Sequence, residues 1–216
     1  MTVKEIPFVP NTPDDTHCFQ AAVSMVQMYF DPTNRLTFKE LDKITAKVEG
    51  KWTWPMAGLL WLCEHGFEVK HIEKFDFEKF TSKGMEYLAE MYGKEIADTQ
   101  EQKSDLSQEM AFAAKFREVV RPEYRVPTIK DITDFLEDGY LVIVNVNARV
   151  LNGKEGYAGH FLVVYGTQDD AIFFHDPGLP AQEGRSVSQD FFDKAWGYPN
   201  GLAKNISAVK LTNFDV

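Results

Sequence analysis

Cysteine is scarce: Cys18 and Cys63 are the only two in 216 residues, too few for a disulfide framework to hold a chain of this length together. Positive charge is short as well. Lys and Arg number 23 against 33 Asp and Glu, a formal net charge of −10, which leaves no electrostatic footprint for nucleic acid or an anionic membrane surface. No run approaches the roughly 20 apolar residues of a membrane helix. The opening Met1-Thr2-Val3-Lys4-Glu5-Ile6-Pro7 lacks the apolar stretch of a secretory signal, so a reducing cytoplasm is the expected compartment. Solenoids drop out for want of a repeat of fixed period. Without a GxGxxG or Walker loop a nucleotide cofactor is not expected. His17, Cys18, His160, His175 and Asp176 have ligating side chains, but no CxxC or HxxxH spacing organises them, so neither a metal nor any other cofactor is expected.

Apolar material is plentiful. A hydrophobic share of 44%, with 17 Phe, 8 Tyr and 4 Trp, supplies a core for one domain, or for one domain with an insertion. Over Cys18 to Phe30, residues Cys18, Ala22, Met25, Val26 and Tyr29 keep helical spacing, Asp14, Asp15 and Thr16 are capable caps, and Asp31-Pro32 ends the helix. Thr37 with Glu40 makes a capping box for a second helix. Thr53 with Pro55 opens a third, which places Met56, Leu59, Leu60 and Cys63 on one face, so Cys63 reads as core. A short strand is expected over Phe67 to Ile72, then a helical stretch from Phe75 to Val120 with a polar break at Asp98 to Asp105. This stretch, about residues 75–122, reads as a helical insertion in a single domain spanning 1–216. Thr128 caps a further helix closed by Gly139.

From Tyr140 the pattern changes to strands: Leu141 to Ala148, Phe161 to Tyr165, Ala171 to His175 and, after a short helix at Ser188 to Trp196, Ile206 to Leu211. Helices first and consecutive strands later predict an α+β fold with an antiparallel sheet.

Three residues carry the chemistry. Cys18 falls in the first turn of its helix, where the macrodipole and unpaired amide donors stabilise a thiolate; an isolated cysteine is also, more commonly, a small buried hydrophobe. His160 opens a strand and Asp176 closes the next. If the turn between them centres on Gln168, the two stand opposite one another and share a face with Leu162, Val164, Ile172 and Phe174. Phe161, Val163, Tyr165, Phe173 and His175 then take the other face. That register needs an odd number of residues in the turn, unless a bulge restores parity. An Asp that holds one imidazole nitrogen leaves the other free for a thiol, the arrangement of base and orienting group used in nucleophilic catalysis.

These residues resemble the papain-like cysteine peptidase superfamily and, within it, are similar to the bacteriocin-processing, double-glycine leader peptidases. The resemblance rests on Thr16-His17-Cys18-Phe19-Gln20-Ala21-Ala22, on Asp138-Gly139-Tyr140-Leu141-Val142-Ile143-Val144, on Gly159-His160-Phe161-Leu162-Val163-Val164-Tyr165-Gly166 and on His175-Asp176-Pro177. It covers Cys18 to Pro177 in order, and Phe75 to Val120 finds no clear counterpart. It implies N-terminal helices with the nucleophile helix packed on a C-terminal antiparallel sheet. It also implies a Cys18 thiolate paired with a His160 imidazolium, oriented by Asp176, and a peptide or small amide as substrate.

Two positions depart from the family. Its usual glutamine upstream of the cysteine, which completes the oxyanion hole, has no equivalent among residues 1–17; Asn11 has the right amide chemistry and is the candidate oxyanion donor. Losing one such donor typically costs about 10² to 10³ in turnover. The glycine usual after the cysteine is Phe19 here, which is expected to narrow the room beside the nucleophile. Three readings stay open on the sequence: a cysteine peptidase or amidase, an acyltransferase in which an amine or thiol replaces water, and a catalytically silent peptide-binding module.

Overall fold

Why the strands after Gly139 read as near-continuous apolar runs is plain in the computed structural model, which describes residues 2–212: the sheet they form is covered on both faces. In chain order the elements are β1 (Thr2–Val3), α1 (Cys18–Phe30), α2 (Phe38–Ile44), α3 (Met56–Glu64) and β2 (Phe67–Glu73). Four helices follow, α4 (Phe77–Lys83), α5 (Met85–Tyr92), α6 (Lys94–Lys103) and α7 (Leu106–Val119), and then α8 (Ile129–Glu137). The remainder is β3 (Leu141–Asn147), α9 (Ala148–Leu151), β4 (Gly159–Gln168), β5 (Ala171–Asp176), β6 (Gln182–Ser188), α10 (Gln189–Trp196) and β7 (Asn205–Leu211). The strands pair in the order β2-β7-β3-β4-β5-β6, and every pairing is antiparallel. β1 adds to β4 at Gly166 and Thr167, just past the stretch that β3 covers. The chain is α+β.

Side chains alternate across the strands into two cores. Leu141, Ile143, Phe161, Val163 and Val209 point to the face covered by α1, α3 and the four helices α4 to α7. Val142, Val144, Leu162, Val164, Ile172 and Phe174 point to the face covered by α8 and α10. The helix that Cys18 opens lies on β4, with the Phe19 ring 4.9 Å from the Phe161 ring. No helix among the described residues is long and apolar enough to cross a membrane.

Local sequence chemistry accounts for most boundaries. Thr37 with Glu40 and Thr128 with Asp131 form reciprocal capping boxes, and Ser188 caps α10. The helical stretch from Phe75 breaks where expected only at the end of the polar segment, at Ser104-Asp105; α6 runs through the rest of that segment to Lys103, and two further breaks fall at Gly84 and Gly93. Both glycines sit at positive φ, +52° and +89°, a conformation that costs a glycine little and stops a helix. Thr53 does not cap α3, whose first residue follows Pro55 directly. Cys63 is half-buried, packed at the edge of the first core.

Candidate active site

The loop before α1 is fixed by one amide side chain. Asn11 Oδ1 accepts from the backbone N–H of Thr12 at 2.9 Å and of His17 at 2.8 Å, its Nδ2 donates to Asp15 at 2.8 Å, and its own N–H donates to the Pro177 carbonyl at 2.8 Å. Asn11 thereby ties the loop leading into Cys18 to the residue after Asp176. His17 occupies the cap position without giving α1 a side-chain cap; its ring sits between Thr12 Oγ1 at 2.6 Å and Asp42 at 3.2 Å. Within the helix the first backbone bond runs from Ala21 to the His17 carbonyl. The Cys18 N–H has no partner among the described residues and is aimed, like other first-turn amides, out of the helix end. Phe19 does not crowd the nucleophile as its size suggests. Its ring packs on Phe161 and passes over Gly58, where a Cβ would lie 2.7 Å from the ring.

His160 and Asp176 meet at the open end of the β4–β5 hairpin, His160 Nε2 donating to Asp176 Oδ1 at 2.7 Å. The path to this contact corrects the expected register. The turn has two residues, Asp169 and Asp170, with Asp169 at positive φ, as short hairpin turns require. An even turn by itself throws His160 and Asp176 onto opposite faces, but a bulge between Val164 and Gly166 inserts Tyr165 and restores the parity. The two faces are populated as the alternation requires: Leu162, Val164, Ile172 and Phe174 lie together, with Phe161, Val163 and Tyr165 opposite. His175 pairs with Val163, so Asp176 reaches His160 diagonally rather than straight across. His175 itself hydrogen-bonds the Ile6 carbonyl and the Gly184 N–H, away from the pair.

The Asp176 carboxylate is fully engaged. Oδ1 also accepts from the Gly178 N–H at 3.0 Å, and Oδ2 accepts from Arg185 Nη1 at 2.9 Å. Arg185 in turn donates to the Leu151 carbonyl and to Asn152. It comes from β6, a strand that sequence reading misses because Gln182-Glu183-Gly184-Arg185-Ser186-Val187-Ser188 has no apolar alternation. Only the pairing of Phe174 with Arg185 brings the guanidinium to Asp176.

Electrostatics favour charged partners. Burial pulls the His160 pKa down, but hydrogen bonds to Asp176 and Cys18 outweigh it and raise it to about 10. Burial alone raises the Asp176 pKa; the hydrogen bond and charge of His160, the Gly178 amide and Arg185 together bring it below the ordinary carboxylate value. With Nε2 committed to Asp176, the nitrogen left for the Cys18 sulfur is Nδ1. His160 and Asp176 are thus one hydrogen-bonded pair, Cys18 lines the same cavity as His160, and Asn11 braces the loops that carry Cys18 and Asp176.

A cavity of about 210 Å³ runs inward from Cys18 and His160. Trp52 and Trp54 form one wall, Tyr157 and Tyr198 the other. Trp52 meets Tyr157 edge-on at 6.2 Å, and Tyr157 stacks on Tyr198. Gln100 of α6 bridges them from above, accepting from Trp54 Nε1 at 3.2 Å and donating to the Tyr157 hydroxyl at 3.1 Å.

No protein-family model and no curated protein matches the chain. Among solved structures, the peptidase domain of Streptococcus ComA, a bifunctional ABC transporter involved in a quorum-sensing pathway, superposes with a TM-score of 0.51 at 17% identity, over 95% of this chain and 96% of that one. A double-glycine-motif protease from an AMS/PCAT transporter, in complex with its leader peptide, gives 0.51 at 12% identity, over 98% and 95%. The chain has the papain-like peptidase-domain fold. That fold agrees with the expectation drawn from the motifs around Cys18, Tyr140, His160 and Asp176.

Proposed function

We propose that this chain is a cysteine peptidase or amidase that cleaves a peptide or small amide through an acyl-enzyme on Cys18. The observation that carries the reading is the hydrogen-bonded sequence Arg185, Asp176, His160, with Cys18 lining the same cavity mouth as His160. Each member has a defined task. The Cys18 thiolate forms a bond to the amide carbonyl carbon, and the carbonyl electron pair moves to oxygen. The Cys18 N–H stabilises that oxyanion, with the second Nδ2 hydrogen of Asn11 as the other donor. Collapse breaks the C–N bond, and His160 Nδ1 gives its proton to the departing amine. Water, deprotonated by His160, then attacks the thioester and releases the acid. An amine or thiol in place of water turns the same site into an acyltransferase.

One observation favours the silent peptide-binding module: Asn11 Nδ2 already donates to Asp15, so only one of its hydrogens is left for an oxyanion. Iodoacetamide labelling near neutral pH, followed by peptide mapping, tests the nucleophile. Cys18 is expected to react far faster than Cys63, whose thiol burial pushes up. On a peptide panel, Cys18→Ala is expected to abolish turnover and preserve affinity. Equal labelling of the two cysteines overturns the assignment, and wild-type binding without turnover favours the silent module.

A further inference from the structure

The inner end of the cavity holds features that a peptidase mechanism does not use. His71 and Glu73 project from the same face of β2 into it, with His71 Nε2 3.1 Å from Glu73 Oε2 and His71 Nδ1 3.0 Å from Ser207 Oγ. Glu73 Oε1 has no partner among the described residues, and no Lys or Arg lines the cavity. Around the carboxylate the walls are aromatic. Phe75 lies 5.0 Å from Phe77 and 6.5 Å from Tyr92, and Phe116 lies 5.3 Å from Phe77. Burial first, and the Glu73 charge next, push the Tyr92 hydroxyl well above its ordinary pKa, so the carboxylate is felt across the cavity. The inner wall is closed: Leu88, Phe116 and Trp196 are at most 1% exposed.

An aromatic cavity whose inner end holds one carboxylate, with His71 on one of its oxygens and no lysine or arginine, while Asp15 and His160 stand at the mouth beside Cys18, is chemically selective. Ring faces attract a cation, an apolar stem is desolvated favourably between the walls, and a buried anion rejects another anion. We propose that this cavity binds a primary ammonium group on an apolar stem, with the ammonium beside Glu73. Taken with Cys18 as nucleophile, the substrate is an amide one arm of which ends inside the protein in that ammonium. The cationic-arm assignment rests on the peptidase or amidase reading only for the word substrate; the binding site stands on its own residues. Two sources supply the same chemistry, the α-ammonium of a free peptide N-terminus and the side chain of a lysine.

Calorimetric titration of hexylamine, 1-hexanol and hexanoate into the intact protein tests the site without any turnover. Hexylamine is expected to bind at least about ten-fold more tightly than the other two, and Glu73→Gln is expected to remove that preference while leaving hexanol binding unchanged. Equal or tighter binding of hexanol, or no effect of Glu73→Gln, overturns the proposal. A second measurement needs no variant: Cys18 is expected to be alkylated faster by N-(5-aminopentyl)chloroacetamide than by N-pentylchloroacetamide, and the reverse order overturns the proposal. Peptides with free N-termini, compared with acetylated peptides containing lysine, identify the source. Hexylamine selectivity with no cleavage of either peptide type upholds the ammonium site and counts against the peptidase reading alone.

Discussion

Arg185 donates to Oδ2 of Asp176 at 2.9 Å, while His160 takes Oδ1. One carboxylate therefore carries two cationic partners, and Arg185, a positioning residue on an edge strand, keeps Asp176 ionised and its plane fixed. Losing a hydrogen bond to a charged group costs about 1.5–3 kcal/mol. Arg185→Met is expected to slow Cys18 alkylation roughly ten-fold or more and to shift its pH profile, with the sheet intact by circular dichroism. A profile that superposes on the wild type removes Arg185 from the site.

Gly178 is the second neighbour that the pair depends on. A Cβ there would lie 2.9 Å from Asp176 Oδ1 and 3.2 Å from His160 Nε2. Gly178→Ala is expected to push the two side chains apart and lower Cys18 reactivity, with little change in the urea midpoint. Unchanged alkylation kinetics would show that the loop yields without disturbing the pair.

The His160 and Asp176 pair also sets a pH window for stability. A histidine whose folded pKa is raised from 6.5 to about 10 contributes stability that is fully present below 6.5 and declines as pH rises through about 10. Urea unfolding of wild type and His160→Gln across that range is expected to show the wild-type advantage shrinking toward alkaline pH. A constant difference contradicts the raised pKa.

Glu109 behaves in the opposite sense to a paired carboxylate. Buried on α7 at 4% exposure, with Oε2 unpartnered, it is raised to about 8 by burial, which a hydrogen bond from the Trp54 backbone offsets only in part. The folded state therefore prefers the protonated acid, and stability falls as pH rises from about 4.5 to 8. Glu109→Gln keeps the acceptor for Trp54 and carries no charge. Its stability curve is expected to be flatter over that interval, by something on the order of a few kcal/mol, measured by urea unfolding at pH 5 and 8.5.

Much of this architecture is written in local sequence. The period of Cys18 to Phe30, the capping boxes at Thr37 and Thr128 and the glycine stop at Gly139 are decided within a few residues, and the helices form where those signals stand. The sharing of a face by His160 and Asp176 follows from strand alternation, but its route does not: the Tyr165 bulge depends on how β4 fits between its neighbours, which no hairpin rule contains. Arg185 is illegible for the same reason, since a polar edge strand takes its register from β5 and not from its own pattern. Gln100, Tyr157 and Glu73 line one cavity only because α4 to α7 close over it. Asn11 stands out in the sequence as an amide; that its oxygen holds the loop before Cys18 is visible only once the loop is folded.

The hydrogen bond between His160 and Asp176 spans sixteen positions of chain, whereas Cys18 joins them from the far end of the sequence. Local contacts close quickly and distant ones slowly, because loop-closure entropy must be overcome first. During synthesis the thiol emerges early and waits, without its base, until nearly the whole sheet has been made. If the proposed roles hold, a partly folded chain lacks the base beside Cys18, and the rate at which Cys18 gains reactivity toward iodoacetamide during refolding is expected to time the last long-range step of assembly.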